Sequence, residues 1–208
     1  MTLKKFSYFI LLTTSLNLFG QTATKDAIKI DIVKAKLVDN SSVFGIRQLK
    51  VTSDALKKVM IKTKIETTED NKTKLSAFYL LDTKNKIRYR LADYKGYAGF
   101  IGSPELIPYR KSKIYNDKGK EIESYSLPPY DTSVKDYFSD YDKDGYRNFE
   151  LNINFGTTEN PRVSVVYYGE TEYTKFTAEL FFTILVENTD SHYELYYKDQ
   201  KISDIKFQ

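Results

Sequence analysis

The stretch TKFTAELFFTILVE (residues 174–187) alternates with a period of two. Ala178, Leu180, Phe182, Ile184 and Val186 fall on one face, Phe181 and Thr183 on the other. Period two is the spacing of a β-strand, and apolar groups on both faces place that strand in the middle of a sheet. The same period recurs outward along the chain. AIKIDIVKAKLV (27–38) aligns Ile28, Ile30 and Ile32, and VMIKTKI (59–65) aligns Val59, Ile61, Thr63 and Ile65. The polar run TTEDNKTK (67–74) has the composition of a hairpin turn leading into AFYLLD (77–82), and residues 82–86 turn that strand into the next. FELNINF (149–155) and RVSVVYY (162–168) continue the pattern. YELYYKDQKISDIKF (193–207) closes it with a hairpin about residues 198–201.

Two regions depart from this pattern. Residues 91–129 hold four of the five prolines and many tyrosines, with YNDKG around Gly119 as a hairpin tip. In DTSVKDYFSDY (131–141), Asp131 is a candidate cap, and Val134, Tyr137, Phe138 and Tyr141 recur at three- and four-residue spacing, which predicts a short helix.

Along VMIKTKI and AFYLLDTKNKIRY the chain resembles the telokin-like, immunoglobulin-like domains found in secreted bacterial proteins. In that group a strand of alternating aliphatics precedes a Phe-x-Leu-x-Asp strand, a turn and a tyrosine, matched here by Phe78, Leu80, Asp82 and Tyr89. The resemblance covers roughly 35 residues. It implies an immunoglobulin-like fold and an extracytoplasmic setting, and it brings no functional residue with it. With the strand count, the expectation is an all-β chain: an immunoglobulin-like antiparallel β-sandwich of about nine strands, one short helix and a long Tyr-rich loop region.

The first residues, MTLKKFSYFILLTTSLNLFG, place Lys4 and Lys5 before an apolar run that polar residues soon interrupt. That is the layout of a secretory signal peptide over residues 1–20, and the run is too short to span a bilayer. Residues 21–208 then form a single domain, secreted or periplasmic, with no membrane span in the mature chain. Removal of the two leader lysines leaves 30 basic against 28 acidic residues, and no basic cluster stands out as a nucleic-acid footprint. There is no cysteine and one histidine. Disulfides, thiol nucleophiles and the usual cysteine and histidine zinc sites are therefore absent.

SDYDKDGYRNFE (139–150) is the stretch closest to a chemical motif. If Asp140 opens an EF-hand-like calcium loop, Asp142, Asp144, Gly145 and the Tyr146 carbonyl follow in register. Position 8 is Arg147 and position 12 is Leu151, with Glu150 one residue early, so the bidentate carboxylate is out of place. The same residues are good turn chemistry, because Asp bonds its own backbone and Gly accepts positive φ. Residues 131–150 carry six acids and three bases, a concentration of negative charge that calls for a counter-ion. Calcium bound by Asp140, Asp142, Asp144, Tyr146 and Glu150, and a solvated acidic turn, are the two readings.

Ten of the 18 tyrosines fall between Tyr89 and Tyr146. Rings with polar tips suit ligand capture on a loop face, and Tyr94, Tyr97, Tyr109 and Tyr130 are the candidates for contact with a protein or glycan; the alternative is that these rings cover the rim of the fold. Catalysis has little to work with. His192 sits in a polar turn, and a carboxylate pair for a hydrolase has to come from Asp136, Asp140, Asp142 or Glu150. The expectation is a non-catalytic binding or structural module without a required cofactor.

Overall fold

A computed structural model describes residues 22–25, 28–38, 53–97, 105–106, 114–115, 121–122, 134–154, 159–161, 163–171 and 173–208, with backbone alone at 22–25, 105–106, 114–115, 121–122 and 153–154. The chain is all-β and almost wholly antiparallel. β1 (Thr22–Lys25) and β2 (Ile28–Val38) form a hairpin, and β2 pairs with β3 (Leu56–Glu66). β4 (Thr73–Lys74) leads to β5 (Phe78–Asp82), which turns tightly into β6 (Ile87–Tyr97). The short strands β7 (Glu105–Leu106), β8 (Ile114–Tyr115), β9 (Glu121–Ile122), β10 (Arg147–Phe149), β11 (Ile153–Asn154), β12 (Val163–Ser164) and β13 (Glu170–Thr171) come next. β14 (Lys175–Leu185), β15 (Tyr193–Tyr197) and β16 (Gln200–Ile205) complete the chain.

The main sheet runs β1-β2-β3-β14-β6-β5-β15-β16, with β7 and β10 added beside β6. β14 is central, pairing with β3 along its whole length and with β6 from Thr177 to Phe182. Both of its faces are covered, since Phe181 and Thr183 are buried as well as Ala178, Leu180, Phe182 and Ile184. β6 joins the two halves of the sheet. Ile87 to Arg90 pair with β5, and Leu91 to Tyr97 pair with β14.

Bulges curl the sheet by inserting one unpaired residue, which bends a strand and increases its twist. One lies at Phe181/Phe182 opposite β6, one at Ile32/Lys34 in β2, and one at Leu195/Tyr196 opposite β16. Val33 is the extra residue of the second, which accounts for the exposure of so apolar a side chain. The curl carries the end of the chain round to the start of the sheet, where the Gln208 N–H donates to the Ala35 carbonyl at 3.2 Å. The sheet is nearly closed, like a barrel. Its interior is filled by the alternate residues Ile28, Ile30, Val59, Ile61, Phe78, Leu80, Tyr89, Leu180, Phe182, Tyr193 and Leu195 among others.

Several expectations change. Among the described residues ten strands form one curled sheet and six more pair as three two-stranded sheets, in place of two facing sheets of about nine strands. β3 and β5 do not form a hairpin across TTEDNKTK, because β14 takes the edge of β3 that β5 would need. Strand continues to Tyr97, well into the stretch read as loop. FELNINF is interrupted: β10 ends at Phe149 and pairs in parallel with β6, and β11 begins at Ile153. The expected short helix is a single 3-10 turn, Ser139–Tyr141, because nearby backbone donors go to side chains. The Tyr137 N–H bonds Ser76 Oγ at 2.9 Å and the Phe138 N–H bonds Asp136 Oδ1 at 3.1 Å. Pairing of β8 with β9 agrees with a hairpin about Gly119. Asp131, Gly119 and residues 1–20 lie outside the described residues. Among the described residues no helix is long and apolar enough to cross a membrane.

Candidate functional site: the acidic loop and the arginines beneath it

In the first half of β6, Ile87, Tyr89 and Leu91 point into the core, so period two sends Arg88 and Arg90 to the opposite face. Both are nonetheless buried, Arg88 completely. Residues 134–150 lie across them. Phe138 fills the space between, with the Arg88 guanidinium 3.8 Å and that of Arg90 5.1 Å from its ring centre. Phe138 joins Tyr79 and Leu81 in a second apolar cluster, against which Tyr141, Tyr146 and Tyr196 pack. Burial of that one ring stabilises the loop by roughly 2–3 kcal/mol.

The polar contacts are dense. Arg88 Nε donates to Asn148 Oδ1 at 2.9 Å, Nη1 to the Tyr141 carbonyl, and Nη2 to the Phe138 carbonyl at 3.3 Å and to Asp142 Oδ1 at 2.6 Å. Burial lowers the pKa of Arg88, and the charge of Asp142 opposes that shift. Arg90 grips Asp136 with two parallel bonds of 2.9 Å and donates to the Val166 carbonyl at 3.0 Å. Such forked pairing matches the guanidinium to the carboxylate in geometry as well as charge.

The residues of the calcium reading are thus distributed among cations of the chain itself. Asp140 pairs with Lys135 at 3.0 Å, Asp142 with Arg88, and Glu150 stands 3.8 Å from Arg90 Nη1. Asp144 is exposed beside Gly145, whose φ of 77° makes the turn. The Tyr146 N–H closes that turn on the Lys143 carbonyl at 3.1 Å, and its ring lies beneath Lys86. Among the described residues, the carboxylates of Asp140, Asp142, Asp144 and Glu150 do not gather as three ligands around one point. The turn half of the motif is present. Asp140, Asp142 and Glu150 face guanidinium and ammonium groups, and Asp144 faces water. Asp136, considered for hydrolysis, is held by Arg90, and His192 stands exposed at the start of β15.

Of the tyrosines read as a ligand face, the two among the described residues, Tyr94 and Tyr97, lie on opposite sides of β6. Tyr94 packs on the core, edge-on to Tyr168 with ring centres 5.3 Å apart, and burial pushes its hydroxyl up to about 12. Tyr97, three positions on, faces the other side of β6 and is half-buried beneath Lys95. Tyr109 and Tyr130 lie outside the described residues.

Arg88 and Arg90 were missed in the sequence reading. Their signal is IRYR (87–90), two arginines at alternate positions of a strand whose other face is apolar, in a chain with a separate acidic segment. Charges placed so regularly on the back of a core strand call for partners. No protein-family model, no curated protein and no solved structure matches the chain.

Proposed function

We propose that the protein is a non-catalytic module of the extracytoplasmic space, serving as a binding or structural unit for a protein or glycan partner. The observation that carries the reading is the treatment of the acidic loop. Asp136, Asp140, Asp142 and Glu150 each face a cation within 4 Å, and the arginines that meet three of them are buried under the loop. Side chains so engaged hold a surface in place, and their charges are already answered by cations of the chain. The leader-like first 20 residues support the compartment.

Two measurements test this reading. The chain, expressed with its leader and recovered from outside the cytoplasm, is expected to begin at Gln21. The purified protein is expected to leave chromogenic glycosides, esters and phosphate esters unchanged while being retained on a glycan array or on isolated cell-envelope material. Turnover lost on Asp136→Asn in a protein that still folds overturns the non-catalytic reading.

A further inference from the structure

The chain's one histidine lies in a cluster that the acidic loop does not use. Glu194 in β15 and Asp204 in β16 are cross-strand partners on the outer face, and His192, two residues before Glu194, lies on that same face. His192 Nε2 is 3.0 Å from Asp204 Oδ1 and 3.8 Å from Glu194 Oε1, and one ligand atom from each residue falls within 4.8 Å of the others. Lys201 places its ammonium between the two carboxylates, 2.7 Å from Glu194 Oε1 and 2.9 Å from Asp204 Oδ1. This point on the surface already holds a positive charge.

We propose that His192, Glu194 and Asp204 form a surface site for a divalent transition ion of the zinc class, which enters by displacing the Lys201 ammonium. Three arguments support it. A tetrahedral zinc with bonds of about 2.0–2.2 Å has neighbouring ligand atoms roughly 3.3–3.6 Å apart, and the two histidine–carboxylate separations bracket that span. Imidazole with carboxylates selects zinc, nickel or copper over calcium and magnesium, which take oxygen alone. The supports are also rigid: the His192 carbonyl accepts the Thr83 N–H at 3.0 Å, and Glu194 and Asp204 sit within a paired ladder. Lys201 is long, partly exposed and attached at its far end, so it swings into water without disturbing the strands. One histidine and two carboxylates depart from the usual cysteine and histidine set, and they leave the fourth position to water.

The experiment follows the imidazole resonances of the full chain during titration with zinc chloride; a single histidine makes the signal unambiguous. A saturable one-to-one shift of His192 is expected with zinc, and none with calcium or magnesium. His192→Ala, which keeps the backbone bond to Thr83, is expected to lose the binding measured by calorimetry. Lys201→Met is expected to tighten it by about tenfold. No perturbation of His192 in the wild-type chain at millimolar zinc overturns the proposal, whatever Lys201→Met shows. Heat of binding undiminished in His192→Ala marks adventitious ion only and overturns it too, and unchanged affinity in Lys201→Met overturns the displacement.

Discussion

Arg88 Nη2 lies 2.6 Å from Asp142 Oδ1, although the arginine side chain is fully buried and 69% of the aspartate's is exposed. The pair is therefore asymmetric. Without Asp142, Arg88 still bonds Asn148 and the Phe138 and Tyr141 carbonyls, whereas removal of Arg88 takes all of these bonds at once. Arg88→Met also leaves the Phe138 and Tyr141 carbonyls without their donor, and is expected to cost about 2–4 kcal/mol. Asp142→Asn keeps an acceptor near Nη2 and is discounted for exposure, so it is expected to cost about 1 kcal/mol or less. Urea unfolding of both variants checks the order; equal losses contradict it.

Calcium is expected to leave the melting midpoint unchanged. An ion held only by the native state raises stability by mass action, about 2.7 kcal/mol at a hundredfold excess over its dissociation constant. In this loop Lys135, Arg88 and Arg90 already face the acids that an ion needs. Melts in millimolar calcium and in chelator are expected to coincide. A rise in calcium that disappears in Asp144→Asn restores the calcium reading.

Alkaline pH is expected to unfold the protein through its tyrosines. Burial raises Tyr94 and Tyr197 each to about 12 and moves Tyr193 upward as well. A phenol whose pKa is higher in the folded state contributes stability that is fully present below about pH 10 and is lost as pH rises toward the folded value. Two such groups contribute roughly 2–3 kcal/mol each, so stability falls steeply between about pH 10 and 12. Tyrosinate absorbance and circular dichroism are expected to change together in that window. Gradual ionisation near pH 10 with the fold intact contradicts the assignment.

The β15–β16 turn holds Lys198 at φ 53°. That left-handed conformation costs a side-chain-bearing residue about 1 kcal/mol and suits glycine. The Lys198 N–H to Ala77 carbonyl bond of 3.0 Å survives the change, so Lys198→Gly is expected to stabilise by about 0.5–1 kcal/mol. A lower midpoint means that the Lys198 ammonium, 5.4 Å from the Tyr197 ring centre, outweighs the backbone gain.

Much of the local structure was legible before any coordinates. Period two identified the long strands, and apolar residues on both faces of 174–187 identified the central one. Turn residues located the β5–β6 and β15–β16 hairpins, where the partner is the next strand and a short turn leaves little choice. The turn chemistry of DYDKDGY, common to both readings of that stretch, was legible, and Gly145 takes positive φ there. The pairing of β3 with β14 was not legible, since 108 residues lie between two strands whose alternation fits many partners.

Alternation records which side of each residue meets the core, a local property of the chain, and so the all-β class, the core faces and the short turns follow from sequence by itself. Partner choice is a property of edges left open elsewhere. Tertiary structure alone decided that β6 joins both halves of one curled sheet, that bulges bring Gln208 round to Ala35, and that the cation of the acidic loop is an arginine 54 positions before Asp142. An acidic turn has the same residues whether it faces calcium, water or a guanidinium. The distinction comes from what the rest of the chain places beneath it.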